Sequence, residues 1–199
     1  MARADGRLTA DLNPQDHGPQ DACGVIGIYA PGEEVSKLTY FGMYALQHRG
    51  QESAGMAVSD GRHMMVFKDM GLVSQVFDEA TLNSLQGHMA VGHTRYSTTG
   101  ASIWDNAQPT FRSRQGGDGL ALAHNGNLTN TGALEALIAE RAPDTEVPHK
   151  DRMDSSNDTS LVTALMTTYD GTLEEVAAQV LPHLQGAFSL VFMDDHTLC

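Results

Sequence analysis

The sequence changes character at Cys23. Residues 1–22 contain four Asp, three Asn or Gln and two Pro, and they hold no apolar stretch that could join a core or act as a secretory signal. Cys23 then opens an apolar run that extends to Ala30 and is closed by Pro31 and Gly32. We therefore expect a removable leader over residues 1–22 and a folded domain that begins at Cys23.

Cleavage between Ala22 and Cys23 would give one residue both a thiol and a free α-amine. A nucleophile and a base with a pKa near 8 would then lie within reach of each other, which is a complete catalytic unit. The alternative is that Cys23 is a small buried residue at the start of a strand, which is the commoner role of a lone cysteine. The segments that follow decide between the two.

Composition limits the classes of function. A chain of 199 residues with 41% hydrophobic residues is long enough for one well-buried domain, and it has no apolar run near the roughly 20 residues that span a bilayer. The formal net charge of −13 would repel nucleic acid and acidic lipid, so neither is an expected partner. The two cysteines, Cys23 and Cys199, form no disulfide framework, which indicates a reducing, cytoplasmic location.

The apolar spacing predicts alternating strands and helices. An Asp60-Gly61 pair between two strands is a strong hairpin signal. The last strand is followed by a turn at 194–196 and only three residues of a return strand, from which we expect a truncated chain. Strands are predicted at 25–30, 54–59, 62–68, 89–96, 120–125 and 187–193, and helices from 33 to near 50 and at 78–86, 131–141, 158–169 and 172–184.

Four polar clusters occur where predicted strands end or helices begin or end, so their side chains could converge at one rim of a sheet. Each has a simpler explanation when taken alone: the Asn-Gly pair in 124–127 suits a turn, and the cluster at 155–159 suits a helix N-cap. His48, His93 and His124 have no close helical spacing and no cysteine partner other than Cys23, so we predict no metal site. The clusters are residues 47–53, 92–100, 124–127 and 155–159.

Together with Cys23, these clusters resemble the glutaminase domain of amidophosphoribosyltransferases, which are class II glutamine amidotransferases. The matching segments are CGVIG at 23–27, LQHRGQESAG at 46–55, GHTRYST at 92–98 and AHNGNL at 123–128. The resemblance covers residues 23–199. It implies an α+β fold of the N-terminal-nucleophile hydrolase type, a four-layer αββα sandwich with two stacked antiparallel sheets.

Two alternatives stay open. One is another class II amidotransferase, although relatives that make glucosamine 6-phosphate typically have EYRGYD and TRWAT where this chain has LQHRGQ and TRYST. The other is a non-catalytic glutamine-binding module, which would keep the substrate contacts and lose the nucleophile. The presence of Cys23 disfavours this second alternative.

The resemblance also implies a role for each matching residue. Cys23 would attack the side-chain amide of glutamine, and its α-amine would pass the proton to the leaving ammonia. The Asn125 side chain and the Gly126 N–H would form the oxyanion hole, where preorganised donors stabilise the transition state.

The substrate would be recognised by its two charges. Arg95 would hold the α-carboxylate as a fork and Asp158 would accept the α-ammonium. Thr98 would assist at the carboxylate on a closing loop, and Arg49 and Gly50 would support the nucleophile.

In the whole enzyme, the ammonia would pass to phosphoribosyl pyrophosphate and yield 5-phosphoribosylamine, a glycosyltransferase reaction of de novo purine synthesis. Mg²⁺ and, in some relatives, a 4Fe-4S cluster belong to the C-terminal part, and residues 23–199 would need no cofactor. The full-length enzyme would be a homo-oligomer. This chain departs from the family at Asn157 and Ser160, where relatives more often read Ser-Asp-Ser/Thr-Glu, which affects the hydrogen bonds around Asp158.

Overall fold

Two antiparallel sheets form the centre of the molecule. The computed structural model describes residues 23–47, 51–96, 103–114, 117–143 and 158–199. The first sheet has the strand order β1-β4-β2-β3, and the second has the order β5-β6-β7. The strands are β1 Gly24–Tyr29, β2 Ser53–Ser59, β3 Met64–Met70, β4 Met89–Arg95, β5 Thr110–Ser113, β6 Gly119–Leu128 and β7 Gly186–Met193.

Helices cover the outer face of each sheet. The helices α1 Val35–Leu46, α2 Val73–Val76 and α3 Glu79–Ser84 pack on the first sheet, and α4 Thr131–Arg141, α5 Asp158–Met166 and α6 Leu173–Val180 pack on the second. None of these helices, within the ranges that the structure describes, is both long and apolar enough to cross a lipid bilayer.

Period-two alternation along the strands separates three cores. On β6, Leu120 and Leu122 join the cluster under α4 to α6, whereas Ala121 and Ala123 face the first sheet. The layer between the sheets is built mainly from small or unbranched side chains, which allows the two backbones to approach closely. Its buried members are Ala57, Met89, Val91, Ala121, Ala123 and Met193. The layers are therefore helix, sheet, sheet and helix, as expected.

Several predicted elements are confirmed. The Asp60 carboxylate accepts from the N–H groups of Arg62 and His63 at 2.8 Å each, which closes the β2–β3 hairpin. Helix α4 has the predicted bounds. At the C-terminal end of β7, Asp194 Oδ1 accepts from the N–H groups of His196 and Thr197, and residues 197–199 begin a return that pairs with β7.

Other elements differ from the prediction. The strand predicted at 120–125 extends to Leu128, because residues 125–128 pair with β7 instead of turning. Helix α1 ends at Leu46, and α6 ends at Val180 before a 3₁₀ turn that contains Pro182, a residue with no N–H to donate. Two short elements, α2 and β5, were not predicted, since four residues are too few to show a period. The predicted leader, residues 1–22, lies outside the described residues.

Candidate active site

Strand alternation brings three predicted site residues to one end of the inter-sheet layer. On β1, β4 and β6, the residues that face this layer include Val25, Val91 and Ala123. Because side chains two positions apart on a strand share a face, the same face includes Cys23, Arg95 and Asn125 when the pattern is continued. The pairing of Gly24 with Thr94 in the β1–β4 register places Cys23 across from Arg95.

The backbone around Cys23 is held in place. Its half-buried Sγ lies 3.4 Å from both the amide nitrogen and the carbonyl oxygen of Tyr96, and Gly24 N–H donates to Thr94 Oγ1 at 3.2 Å. A Cβ at Gly24 would lie 2.8 Å from Leu46 Cβ, so only glycine allows this approach to the end of α1. These contacts fix the Cys23 sulfur at one end of the inter-sheet layer, which is called the mouth of the layer below.

A hydrogen bond across the two sheets aligns the ends of β4 and β6. His93 Nε2 lies 3.1 Å from the carbonyl oxygen of His124. Burial lowers the pKa of His93 to about 3, so at neutral pH the ring is uncharged and Nε2–H is the donor to this carbonyl. Because Arg95 follows His93 by two residues and Asn125 follows His124 by one, this contact places both at the same end of the molecule.

After Leu122, side chains instead of β5 accept hydrogen bonds from the backbone N–H groups along one edge of β6. The β5–β6 ladder ends with the pair Thr110 and Leu122. The N–H of His124 donates to Gln108 Oε1 at 2.7 Å, and the N–H of Leu128 donates to Asp158 Oδ2 at 3.1 Å. This stretch of β6, residues 123–128, is called the open edge below.

Gly126 lies in the middle of the open edge. Its φ is +140°, and a Cβ at this position would collide with the carbonyl oxygen of Ala187 on β7. Only glycine meets both requirements. The simpler explanation of this Asn-Gly pair, a turn, does not apply: the pair lies within a strand whose local conformation depends on glycine.

Asp158 lies at the first turn of α5 and faces the open edge. Besides Leu128, its carboxylate accepts from the N–H of Thr159 at 2.9 Å and lies 3.4 Å from His124 Nδ1. Its side chain keeps 20% of its surface exposed. The negative charge is thus held beside β6 and remains accessible.

Three of the predicted site residues, Arg49, Gly50 and Thr98, lie outside the described residues, as does Asn157. Ser160 lies on α5, two residues after Asp158. In the ranges that the structure describes, no group of three or more His, Cys, Asp or Glu side chains is arranged to hold a metal ion.

The sequence alone does not predict that His93 and Gln108 both bind the backbone of His124. The sequence alone offers the two histidines only as metal-ligand candidates, and it gives no indication of a role for Gln108. The one available signal was a polar residue, His93, at a position where the alternation of β4 calls for an inward, apolar side chain.

Comparisons with known proteins agree with this geometry. The sequence matches no protein-family model. It is 53% identical over 200 aligned residues to the amidophosphoribosyltransferase of Mycobacterium bovis, an alignment that covers 96% of this chain and 36% of that protein. The chain belongs to the amidophosphoribosyltransferase family. It spans about a third of the length of the curated relative.

Two solved structures in this family have the same fold. The structure of "the allosteric regulatory enzyme of purine biosynthesis" superposes with a TM-score of 0.73, and glutamine phosphoribosylpyrophosphate amidotransferase from B. subtilis, complexed with ADP and GMP, superposes with 0.71. Each is 34% identical, over 86% of this chain and 35% of the other. The expected four-layer sandwich of the N-terminal-nucleophile hydrolase type is thereby confirmed for this amidophosphoribosyltransferase chain.

Proposed function

We propose that this chain is the glutaminase region of an amidophosphoribosyltransferase and that it hydrolyses glutamine to glutamate and ammonia. The observation that carries the proposal is the position of Cys23 at the mouth of the inter-sheet layer. Its sulfur is fixed against Tyr96, on the inner face that Arg95 and Asn125 also reach by strand alternation. A thiol, a cation and an amide at one opening suit attack on a carboxamide.

The nucleophile is Cys23 and the base is its own α-amine, freed when the leader 1–22 is cleaved after Ala22. The amine takes the thiol proton as sulfur bonds to the amide carbon. When the C–N bond breaks, the proton is delivered to the departing nitrogen, which leaves as ammonia. Water then attacks the thioester, releases glutamate and restores the thiol. An amide nitrogen at residue 23 could not serve, because it has no basic lone pair.

The oxyanion is stabilised by the Asn125 side-chain amide and the Gly126 N–H. The N–H groups of residues 124 and 128 point to the same edge of β6, and Gly126 lies midway between them along the strand. The amides of His124 and Leu128 are each bonded to a side chain at that edge. The Gly126 amide between them lies where β5 no longer covers the strand, which supports its role as a donor to substrate.

Specificity for glutamine comes from Arg95 at the α-carboxylate and Asp158 at the α-ammonium. Two opposite charges at a fixed separation select an amino acid by its far end. Thr98 assists Arg95 at the α-carboxylate. Arg49 and Gly50 support the nucleophile.

In the whole protein, ammonia would react with phosphoribosyl pyrophosphate to give 5-phosphoribosylamine for purine synthesis. This part of the proposal rests on family membership, since the chain spans about a third of the length of the curated relative. Mg²⁺ and a 4Fe-4S cluster, where present, would be bound by the part of those relatives that is not aligned with this chain. The enzyme would be a cytoplasmic homo-oligomer.

Substitution of Cys23 tests the function directly. In the full-length protein, Cys23→Ala should lower glutamine hydrolysis by at least about 10⁴-fold, because it removes the only covalent nucleophile of the mechanism. Cys23→Ser should be nearly as inactive, since an alcohol ionises far less than a thiol. The exposed Cys199 supplies the matched control, and Cys199→Ser should keep full activity. Ammonia release by purified Cys23→Ala at a rate near wild type would overturn the proposal.

A further inference from the structure

We infer that His93 is a positioning residue for the oxyanion hole, because it holds the carbonyl of His124 and thereby fixes the peptide that leads into Asn125 and Gly126. The inference rests on the proposed glutaminase function and assigns a role to a residue on the opposite sheet from the oxyanion donors. His93 itself touches no reacting atom in this scheme.

The environment of His93 fixes its protonation state and tautomer. The residue is 0% exposed and faces the inter-sheet layer at the end of the series Met89, Val91 and His93. A neutral imidazole carries one N–H, and the 3.1 Å contact with a carbonyl oxygen requires that this N–H be on Nε2. Nδ1 is then a hydrogen-bond acceptor, and none of the described residues donates a hydrogen bond to it.

The His124 peptide groups depend on side chains for their orientation. The ladder to β5 ends at Leu122, so the regular backbone partner is absent from the edge where His124 lies. Gln108 Oε1 accepts the His124 N–H, and His93 donates to its carbonyl oxygen. Asn125 continues directly from that carbonyl. A tilt of this peptide would move the Asn125 donor, and displacements of about 1 Å can cost about 100-fold in rate.

An imidazole costs more to bury than the apolar side chains that fill the rest of this layer. Burying an imidazole requires removing its water, whereas the neighbouring positions in this layer are filled by Val91 and Ala123 without that cost. The hydrogen bond offsets the loss only while the carbonyl of His124 keeps its orientation. The hydrogen bond that gives His93 Nε2–H its acceptor therefore also constrains the peptide that leads into Asn125 and Gly126.

Two substitutions separate the hydrogen bond from the volume of the side chain. The Gln side chain can place an N–H near the position of His93 Nε2, whereas Leu fills similar space without a donor. In the full-length protein we expect His93→Leu to lower kcat about 10- to 100-fold with KM for glutamine within about twofold. His93→Gln should recover most of the loss. Rates are expressed per Cys23 that can be alkylated by iodoacetamide, counted by mass spectrometry of the Cys23 peptide.

Val91→Ala is the matched control, because Val91 is equally buried on the same strand and in the same layer. It should lower the melting temperature and leave kcat per active site unchanged. A His93→Leu variant that behaves in the same way would show a merely structural role and overturn the inference. Equal loss of kcat in the Leu and Gln variants would also overturn it, because the hydrogen bond would not be the cause.

A second measurement is independent of catalysis. If wild type hydrolyses no glutamine, the proposed function fails, but nitrogen NMR of uniformly ¹⁵N-labelled Cys23→Ala protein still tests the contact. We expect His93 as the Nε2–H tautomer and, on His93→Leu substitution, altered backbone amide shifts at Asn125 and Gly126. An Nδ1–H tautomer, or unchanged amide shifts, would contradict the inference whatever the activity.

Discussion

Arg95 and Asp158 differ from Asn125 in the stage of the reaction at which each should act. The two charged residues are proposed to bind groups of glutamine that do not react, whereas Asn125 meets a charge that forms only during the reaction. Arg95→Ala and Asp158→Ala should therefore raise KM by about 10- to 100-fold. Asn125→Ala should instead lower kcat by about 10²- to 10³-fold with a small change in KM.

Steady-state glutaminase kinetics on the three variants, with the exposed Arg62→Ala as the charge-matched control, measure this difference. Each Ala variant at a charged position also leaves the opposite charge of glutamine without its partner, which is why the effect should appear in binding. If Asn125→Ala raised only KM and Arg95→Ala lowered only kcat, the roles assigned to these two residues would be wrong.

His93 should make stability depend on pH in the weakly acidic range. Its pKa falls from 6.5 to about 3 on folding because the ring is buried. Between these values the unfolded chain binds a proton that the folded chain does not, so its contribution to stability is complete above pH 6.5 and is lost as pH falls toward 3. Between pH 7 and pH 5, wild type should lose about 2 kcal/mol more stability than His93→Gln.

Urea unfolding at the two pH values measures this difference, because other titrating groups are common to both proteins. Parallel losses of stability would show that the pKa of His93 is near its ordinary value in the folded protein. The sign is also informative: a smaller loss in wild type would mean that the folded state favours the charged ring.

The element that most depends on tertiary context is β6. Gly126→Ala would place a Cβ against the carbonyl oxygen of Ala187 at a φ of +140°, so we expect a destabilisation of about 2–3 kcal/mol and a loss of glutaminase activity. Gly132 on α4 has open space around its Cβ direction, and Gly132→Ala should stabilise the protein by up to about 1 kcal/mol. Denaturant midpoints of the pair test this contrast, and equal effects would contradict it.

Most elements could be predicted from local pattern, and the main exception, β6, depends on its pairing with a distant strand. The β2–β3 hairpin and α4 follow from an Asp-Gly turn and a helical period. β6 could not be bounded in this way, since Asn125 and Gly126 locally favour a turn and only pairing with Ser189 and Phe188 on β7 keeps them extended. Strand pairing outweighed local preference there.

Processing of the leader should control the activity of the whole molecule. A protein that begins at Cys23 should hydrolyse glutamine, and a protein whose leader is retained, as verified by intact mass, should not. The free α-amine is the base in the proposed mechanism, and peptide bonding removes its basicity. The control is Cys23→Ala in the leader-free protein, which should be inactive. Similar rates with and without the leader would reject the amine as base.

By itself the sequence determined the approximate positions of most strands and helices, the resemblance to amidophosphoribosyltransferases and the candidate residues. These depend on local periodicity and on motifs within a few residues. The tertiary structure alone decided that His93 reaches the carbonyl of His124, that Asp158 meets the edge of β6, and that Cys23 lies against Tyr96. These contacts join residues 30 or more positions apart, because they are set by how one sheet stacks on the other and where β5 ends, and no local pattern encodes that stacking.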